Sequence, residues 1–275
     1  MKLLQKVLYK ISPSYRKILN CQKTVENLRD KSDQFFNEIN IVNKKIDTLR
    51  DDLNRSTERD YKFCDHYEYW RAKRIVSIVE YYGQEWFKNK KILELGCGYG
   101  DIGYVLATLG ADVIFAEGRV DNCDVLRKRY PNNRVYQVNL ENEWPFPENE
   151  RFDMILHMGL LYHLDDFMFS LKKCALCTDN LVIETEVCDS NDPEFVLKIN
   201  ENSNYYDQSL IGKGSRPSAE YIENRFGELG FDFERVNDSR CNALFHIYDW
   251  KVENTKTSRA GLRRFWFCKK RDNRR

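Results

Sequence analysis

The chain has 275 residues, enough for one large domain or for a standard domain with an appendage. Apolar residues make up 42% and charged residues 32%, and the formal net charge is +1, so no global field draws the chain onto nucleic acid, although a local basic patch stays open. Lysines break the opening MKLLQKVLYKIS, and no run approaches the roughly eighteen apolar residues of a membrane span; both exclude a secretory signal and point to a soluble, cytoplasmic protein.

Residues 1 to about 20 carry Lys2, Lys6, Lys10, Arg16 and Lys17 without an acid, interleaved with Leu3, Leu4, Val7, Leu8 and Ile11. This basic amphipathic pattern reads either as a solvated helix start or as a weak membrane-surface contact that would make the protein peripheral to a membrane. From Val25 the apolar seam Val25, Leu28, Phe35, Ile39, Val42, Ile46, Leu49 and Leu53, with Ser32 in register, alternates by three and four residues. Its flanks are charged, and Gly and Pro are absent from 21 to 82. The spacing predicts a coiled coil over 25–53, and hence a homo-oligomer, with an amphipathic helix folded back on its own domain as the alternative. Two domains follow: 1–57, the basic start and coiled coil, and 58–275, which opens with an aromatic-rich helical segment over 60–88.

The remainder alternates strand and helix. Strands are expected at 91–95, 112–116, 134–138, 152–157, 180–186, 231–236, 242–248 and 263–269, and helices at 101–109, 119–130, 163–175 and 217–229. Such alternation implies an α/β fold with a parallel sheet covered on both faces, closed by an antiparallel hairpin of the last two strands. Nine cysteines, mostly in apolar segments, fit reduced thiols better than a disulfide framework. Cys174 and Cys177 form a CxxC, but no second pair or His stands at metal spacing, so no metal site is read.

The first strand, Lys91-Ile-Leu-Glu-Leu95, runs into Gly96-Cys97-Gly98-Tyr99-Gly100, a turn whose glycines let the backbone pass close beneath a ligand. Glu94, two residues before the first glycine, suits the ammonium of a methionine moiety; a pyrophosphate would be repelled there. The second strand ends in Glu117, where an acid can accept bonds from both ribose hydroxyls. After the third, the Asn139 amide and the Leu140 N–H can read an adenine edge. The fourth ends in His157-Met158-Gly159, beneath the methionine portion of such a ligand. Four successive strand ends therefore converge on S-adenosylmethionine, in the place where open α/β sheets bind their ligands.

With the motifs ILELGCGYGD, FAEGR, VNLEN and FDMILHMGLLYHL, residues 89–186 resemble a class I S-adenosylmethionine-dependent methyltransferase domain. The resemblance implies a Rossmann-like, seven-stranded sheet with a reversed last strand, here carrying an N-terminal helical coiled-coil extension. MGLLYHL followed by IETEV is similar to tRNA wobble-uridine carboxymethyltransferases, whereas the heptad-bearing start and YDW…RRFWF resemble methyltransferases of bacterial surface-polysaccharide clusters. Quinone O-methyltransferases share the His of this segment but place metal-binding carboxylates where this chain has Gly159 and Tyr162, so metal-assisted catalysis is not expected.

Methyl transfer to a hydroxyl needs a base, and His163, after the fourth strand, is the best placed; capping or packing is its structural alternative. Tyr162 lines the acceptor side, and in the carboxymethyltransferases the matching tyrosine helps recognise a carboxylated cofactor, together with a cationic partner the sequence does not locate. A long polar insertion at 187–216 brings Tyr205, Tyr206 and Arg216 as acceptor contacts that suit a sugar ring or a nucleobase, or else forms a lid. The expected activity is O-methylation of a sugar hydroxyl on a small-molecule or glycan acceptor. The alternatives are a tRNA-modifying enzyme, for which a basic face is wanting, and a non-catalytic coiled-coil scaffold.

Overall fold

The computed structural model describes residues 62, 63, 66–259 and 261–271, and before them only the isolated positions 17, 24, 31, 35, 38 and 39, all helical. The coiled-coil seam over 25–53 and the basic start therefore lie outside the described residues, apart from those positions. The chain divides into two units, Met1–Tyr61 and Lys62–Arg275. Among the described residues, no helix is long and apolar enough to cross a membrane.

Nine strands form in chain order: β1 (Lys91–Leu95), β2 (Asp112–Glu117), β3 (Arg134–Gln137), β4 (Met154–Met158), β5 (Asn180–Glu186), β6 (Val196–Asn200), β7 (Lys213–Pro217), β8 (Phe231–Arg235) and β9 (Arg263–Lys270). The helices are α1 (His66–Tyr82), α2 (Asp101–Thr108), α3 (Val120–Arg129), α4 (Phe167–Cys177) and α5 (Ala219–Glu228). Seven strands make one sheet in the order β3-β2-β1-β4-β5-β9-β8. β1 to β5 pair in parallel, and β9 inserts antiparallel between β5 and β8. This is the expected Rossmann-like sheet with its reversed last strand.

Central strands such as Met-Ile-Leu-His-Met in β4 are buried along their whole length because helices cover both sheet faces. On one face Leu93, Leu95, Ile155, Leu181 and Trp266 pack with Leu171 of α4 and Phe226 of α5. On the other, Tyr81 of α1 stacks on Phe267 at 3.9 Å and Phe115 on Tyr130 at 5.4 Å. Ser218 caps α5 by accepting the Tyr221 N–H, and Asp166 caps α4 by accepting that of Met168, which starts α4 later than the sequence suggests.

Two expectations are corrected. No strand forms over 242–248; this stretch makes only isolated bridges. Leu244 sits at a φ of 54°, and the Asn242 side chain accepts the Tyr248 N–H, closing a loop instead. β9 consequently pairs with β5 and β8 rather than in a terminal hairpin. Conversely, the insertion at 187–216 contributes an antiparallel pair, β6 and β7; the alternation Leu-Lys-Ile-Asn in β6 spans only four residues, and the partner Lys-Gly-Ser-Arg-Pro carries no apolar alternation to reveal it.

Candidate active site

At the carboxyl end of β1 the chain turns through Gly96, Gly98 and Gly100 at φ of 58°, 55° and 72°, which side chains disfavour. Gly96, Cys97 and Gly98 lie on the wall of an open cleft, together with Glu94, Glu117, Asn139, Leu140, Met158 and Gly159. Gly100 is not on that wall. It serves as the N-cap of α2, where a Cβ would collide with Leu126 and Phe115, so its role is to let the turn pass under α3.

Glu94 Oε2 accepts the Gly103 N–H at 2.8 Å, tying the strand end to the start of α2. Burial pushes its carboxyl up to about 8, against the pull of that hydrogen bond. Glu117 Oε2 accepts the Gly98 N–H at 2.8 Å, and its Oε1 accepts that of Arg119 at 2.9 Å. The second-strand acid thus braces the glycine turn while it faces the cleft. Asn139 Oδ1 accepts the Glu141 N–H at 3.1 Å, which leaves its amide nitrogen and the Leu140 backbone at the third strand end.

His157 is corrected. Alternation along β4 points it to the α4 face, fully buried, with Nε2 3.2 Å from Ser170 Oγ; Met158 takes the cleft side instead. Burial pulls its imidazole down to about 4, so it is a neutral core residue.

On the acceptor side His163 and Tyr162 line the same cleft. His163 Nδ1 lies 2.6 Å from Glu201 Oε2, at the end of β6. Burial lowers the imidazole's pKa while Glu201 pulls it back up. Burial would raise Glu201, but the bonds and charges of His163 and Arg216 outweigh it and hold the carboxyl at about 2. An ionised carboxylate only accepts, so neutral His163 carries its proton on Nδ1 and keeps the lone pair on Nε2.

Of the three acceptor contacts expected from the insertion, Tyr206 lines the cleft, where its ring meets Phe63 at 4.9 Å between centroids. Tyr205 is 59% exposed and off the wall, because the turn at 202–208 directs adjacent side chains apart. Arg216 is buried and committed behind the wall: Nε donates to Glu186 at 2.9 Å, and Nη1 donates to Glu201 at 2.8 Å and to the Tyr162 carbonyl at 2.5 Å.

Sequence reasoning missed Glu201 and a whole face of α1. Tyr67, Trp70, Arg71 and Arg74, at the spacing of one helical stripe, wall the cleft. Arg71 pairs with Asp101 at 3.0 Å. Arg74 Nη1 meets Glu184 at 3.2 Å, and Trp70 Nε1 donates to the Tyr248 hydroxyl at 2.5 Å, which donates to Glu184 at 3.2 Å. Arg263, stacked between Trp70 and Tyr162 at 4.6 Å from each ring, donates from Nη2 to the Tyr162 hydroxyl at 3.1 Å. The stripe at 67, 70, 71 and 74 was present in the sequence, but nothing there shows which side of the sheet it covers.

A family profile described as "Methyltransferase domain" matches residues 67–236, more than half of the chain. The chain belongs to this methyltransferase family. The methyltransferase is similar to a ubiquinone biosynthesis O-methyltransferase of Pelagibacter ubique (strain HTCC1062), at 24% identity over 61% of this chain and 71% of that one. It is also similar to a tRNA U34 carboxymethyltransferase of Geobacter sp. (strain M21), at 30% identity over 42% of this chain but only 36% of the relative. In fold it resembles the crystal structure of the N-terminal domain of EvdMO1 in the presence of SAH and D-fucose, with a TM-score of 0.57 at 18% identity, covering 83% of this chain and 96% of that one.

S-adenosylmethionine is the cofactor of this methyltransferase. The donor set fits it. Two acids, Glu94 and Glu117, flank the glycine turn, while Arg71 is held by Asp101 and Arg119 Nη2 by the carbonyls of Ser203 and Gln208. A polyphosphate would meet carboxyl groups there; a sulfonium and a ribose find acceptors. A Cβ at Gly96 or Gly98 would strike the Leu160 or Phe63 side chain, so apolar groups close over a bare backbone. Among the described residues, no three His, Cys, Asp or Glu side chains gather as a metal site.

Proposed function

We propose that the enzyme O-methylates a sugar hydroxyl of a surface glycan or its precursor, with His163 as general base. The carrying observation is the His163–Glu201 contact of 2.6 Å on the wall that also bears Glu94, the glycine turn and Glu117. In this reading Glu94 faces the ammonium, Glu117 the ribose, and Asn139 with the Leu140 N–H the adenine. Bound S-adenosylmethionine supplies an electrophilic methyl group whose C–S electron pair leaves with sulfur. The acceptor hydroxyl gives its proton to His163 Nε2, and its oxygen lone pair forms the new C–O bond. Tyr206 offers an aromatic ring to the sugar on the same wall, while the rings of Trp70 and Tyr162 are held by Arg74, Arg263, His246 and Arg216 and shape that side of the cleft. The D-fucose named with the EvdMO1 structure is of the same chemical kind. A panel of nucleotide sugars, oligosaccharides and unmodified tRNA, each with labelled S-adenosylmethionine, tests this; turnover on tRNA and none on any glycan overturns it.

One observation favours a second reading, a tRNA-modifying carboxymethyltransferase. Arg263 at the Tyr162 hydroxyl is a cation beside a tyrosine, the pair that the resemblance to carboxymethyltransferases asks for in recognising a carboxylated cofactor. The mass of the cofactor released from purified protein decides between them: unmodified S-adenosylmethionine supports the first reading, a carboxylated form the second.

Residues 1–57 are assigned as a separate segment that self-associates through 25–53, because an isolated helix of that length would leave an apolar seam in water. Its basic start offers a weak contact to an anionic membrane surface and so keeps the enzyme near a lipid-linked acceptor. Light scattering should give an oligomer for the full chain and a monomer after deletion of 1–55; a monomer in both removes the assignment.

A further inference from the structure

The β6–β7 pair holds a chain of charges behind the cleft wall that methyl transfer at the cofactor side does not require. Glu201, at the end of β6, has its side chain only 2% exposed, and each of its oxygens is used. Oε2 meets His163 Nδ1 at 2.6 Å and accepts the Ser209 N–H at 2.7 Å; Oε1 accepts Arg216 Nη1 at 2.8 Å. Arg216, on β7, is fixed in turn by Glu186 at the end of β5 and by the carbonyl of Tyr162, the residue before His163. The backbone approaches so closely that a Cβ on Gly214 would collide with Glu201 Oε1, the Tyr162 carbonyl and Arg216 Nη1.

We infer that Glu201 is the positioning residue of His163, and that Arg216 locks Glu201 in place, so that the acceptor-side hairpin supplies half of the base. This rests on the reading of His163 as the base. Burying an acid next to an arginine already salted to Glu186 is costly for packing alone, since a buried ion pair rarely outperforms apolar side chains of similar volume. The arrangement has a chemical use. Glu201 holds the imidazole in the Nδ1–H form, aims Nε2 at the cleft, and stabilises the imidazolium once the acceptor proton has moved to Nε2. Ser209 lies in the segment 206–210 that roofs the cleft, so the hydrogen bond from its N–H joins the roof to the same carboxylate.

The test reads the imidazole directly and needs no acceptor. The chain has four histidines, so His163 is assigned in nitrogen-correlated NMR spectra of the full protein with SAH by its loss in His163→Ala. The wild type should show the Nδ1–H tautomer. In Glu201→Gln the titration of His163 should move to lower pH, because the carboxylate that favours the charged ring is gone, and Glu201→Asp should move it part of the way back. SAH affinity, measured in the same samples, should be unchanged, which shows that the variants are folded. With an acceptor from the sugar panel, Glu201→Gln should lower kcat about ten- to a thousandfold with little change in the KM for S-adenosylmethionine, and Arg216→Lys less so. An Nε2–H tautomer in the wild type, or an unmoved His163 titration in Glu201→Gln, overturns the inference. Full activity in His163→Ala with the NMR result intact instead overturns the base and leaves the pairing standing.

Discussion

The two walls of the cleft are built by different means. The cofactor wall is made of consecutive strand ends, β1, β2 and β3, each giving one short segment whose polar atoms are tied to backbone within a few residues: Glu94 to Gly103, Glu117 to Gly98 and Arg119, Asn139 to Glu141. The acceptor wall draws on α1, the turn after β4, the β6–β7 pair and the start of β9, and its side chains hold one another across wide separations. His163 reaches Glu201, Arg263 reaches Tyr162 and Arg74 reaches Glu184. The first wall is a backbone device that any sequence with the right glycines and acids can make; the second is a side-chain network, and there a single substitution acts on several partners at once.

The sharpest way to separate the walls is His163→Ala. Loss of a general base lowers the rate by about a hundredfold to ten-thousandfold and leaves cofactor affinity alone. Single-turnover rates and SAH calorimetry on the same variant check this. If rate and affinity fall together, His163 is a packing residue and the walls are not independent.

Glu117→Ala probes the opposite wall. Removing bonds to the ribose and the brace on the Gly98 N–H should weaken SAH binding by roughly five- to a hundredfold, with a smaller change in the rate of the bound complex. Unchanged affinity by calorimetry would remove Glu117 from the cofactor wall.

Gly214→Ala acts on the acceptor wall through backbone spacing. A methyl group there must push apart Glu201, the Tyr162 carbonyl and Arg216, so kcat should fall about tenfold with thermal stability lowered by roughly 1 to 3 kcal/mol, and SAH affinity kept. Wild-type kcat would show that the network tolerates displacement and that its geometry is not tuned.

The contrast between the walls also explains what could be read from the sequence. The parallel strands show as short apolar runs, and the glycines of the turn stand at alternate positions, so β1 to β5 and the strand-end placement of Glu94, Glu117 and Asn139 were legible before any contact was known. His157 was misread because its neighbour Met158, one residue on, holds the cleft side of β4. β6 and β7 were hidden because the alternation in β6 is only four residues long and β7, Lys-Gly-Ser-Arg-Pro, has no apolar face, its Arg216 being committed to Glu201 and Glu186. Glu201 lies 38 residues from His163, and no local pattern links them. The segment 242–248 carries strand-like residues, yet Tyr248 and His246 turn inward to Glu184 and Trp70, and tertiary contacts override the propensity.

The smallest expected effect lies on the cofactor wall, at Glu94. With burial holding its carboxyl at about 8, Glu94 is mostly protonated in the free enzyme at pH 7. A cationic ammonium beside it favours the ionised form, so binding below about 8 expels the proton, and affinity climbs with pH by at most about tenfold per unit. Above that pH the carboxylate is already ionised, and loss of the ligand's own ammonium proton turns the slope downward. The direction is that of any acid that must ionise to bind, but the window lies around neutral pH, whereas an acid held low by an ion pair would lose its site only in acid. Calorimetry of S-adenosylmethionine binding at pH 7 in two buffers of different ionisation enthalpy should count close to one proton released, and Glu94→Gln should release correspondingly fewer. The amine of the ligand itself titrates at roughly 7.7 to 8.0 and is already mostly protonated at pH 7, so its further protonation on binding adds only a small uptake to either count. Equal proton counts for wild type and Glu94→Gln would place the ammonium elsewhere and leave Glu94 as the residue that holds the start of α2 through the Gly103 N–H.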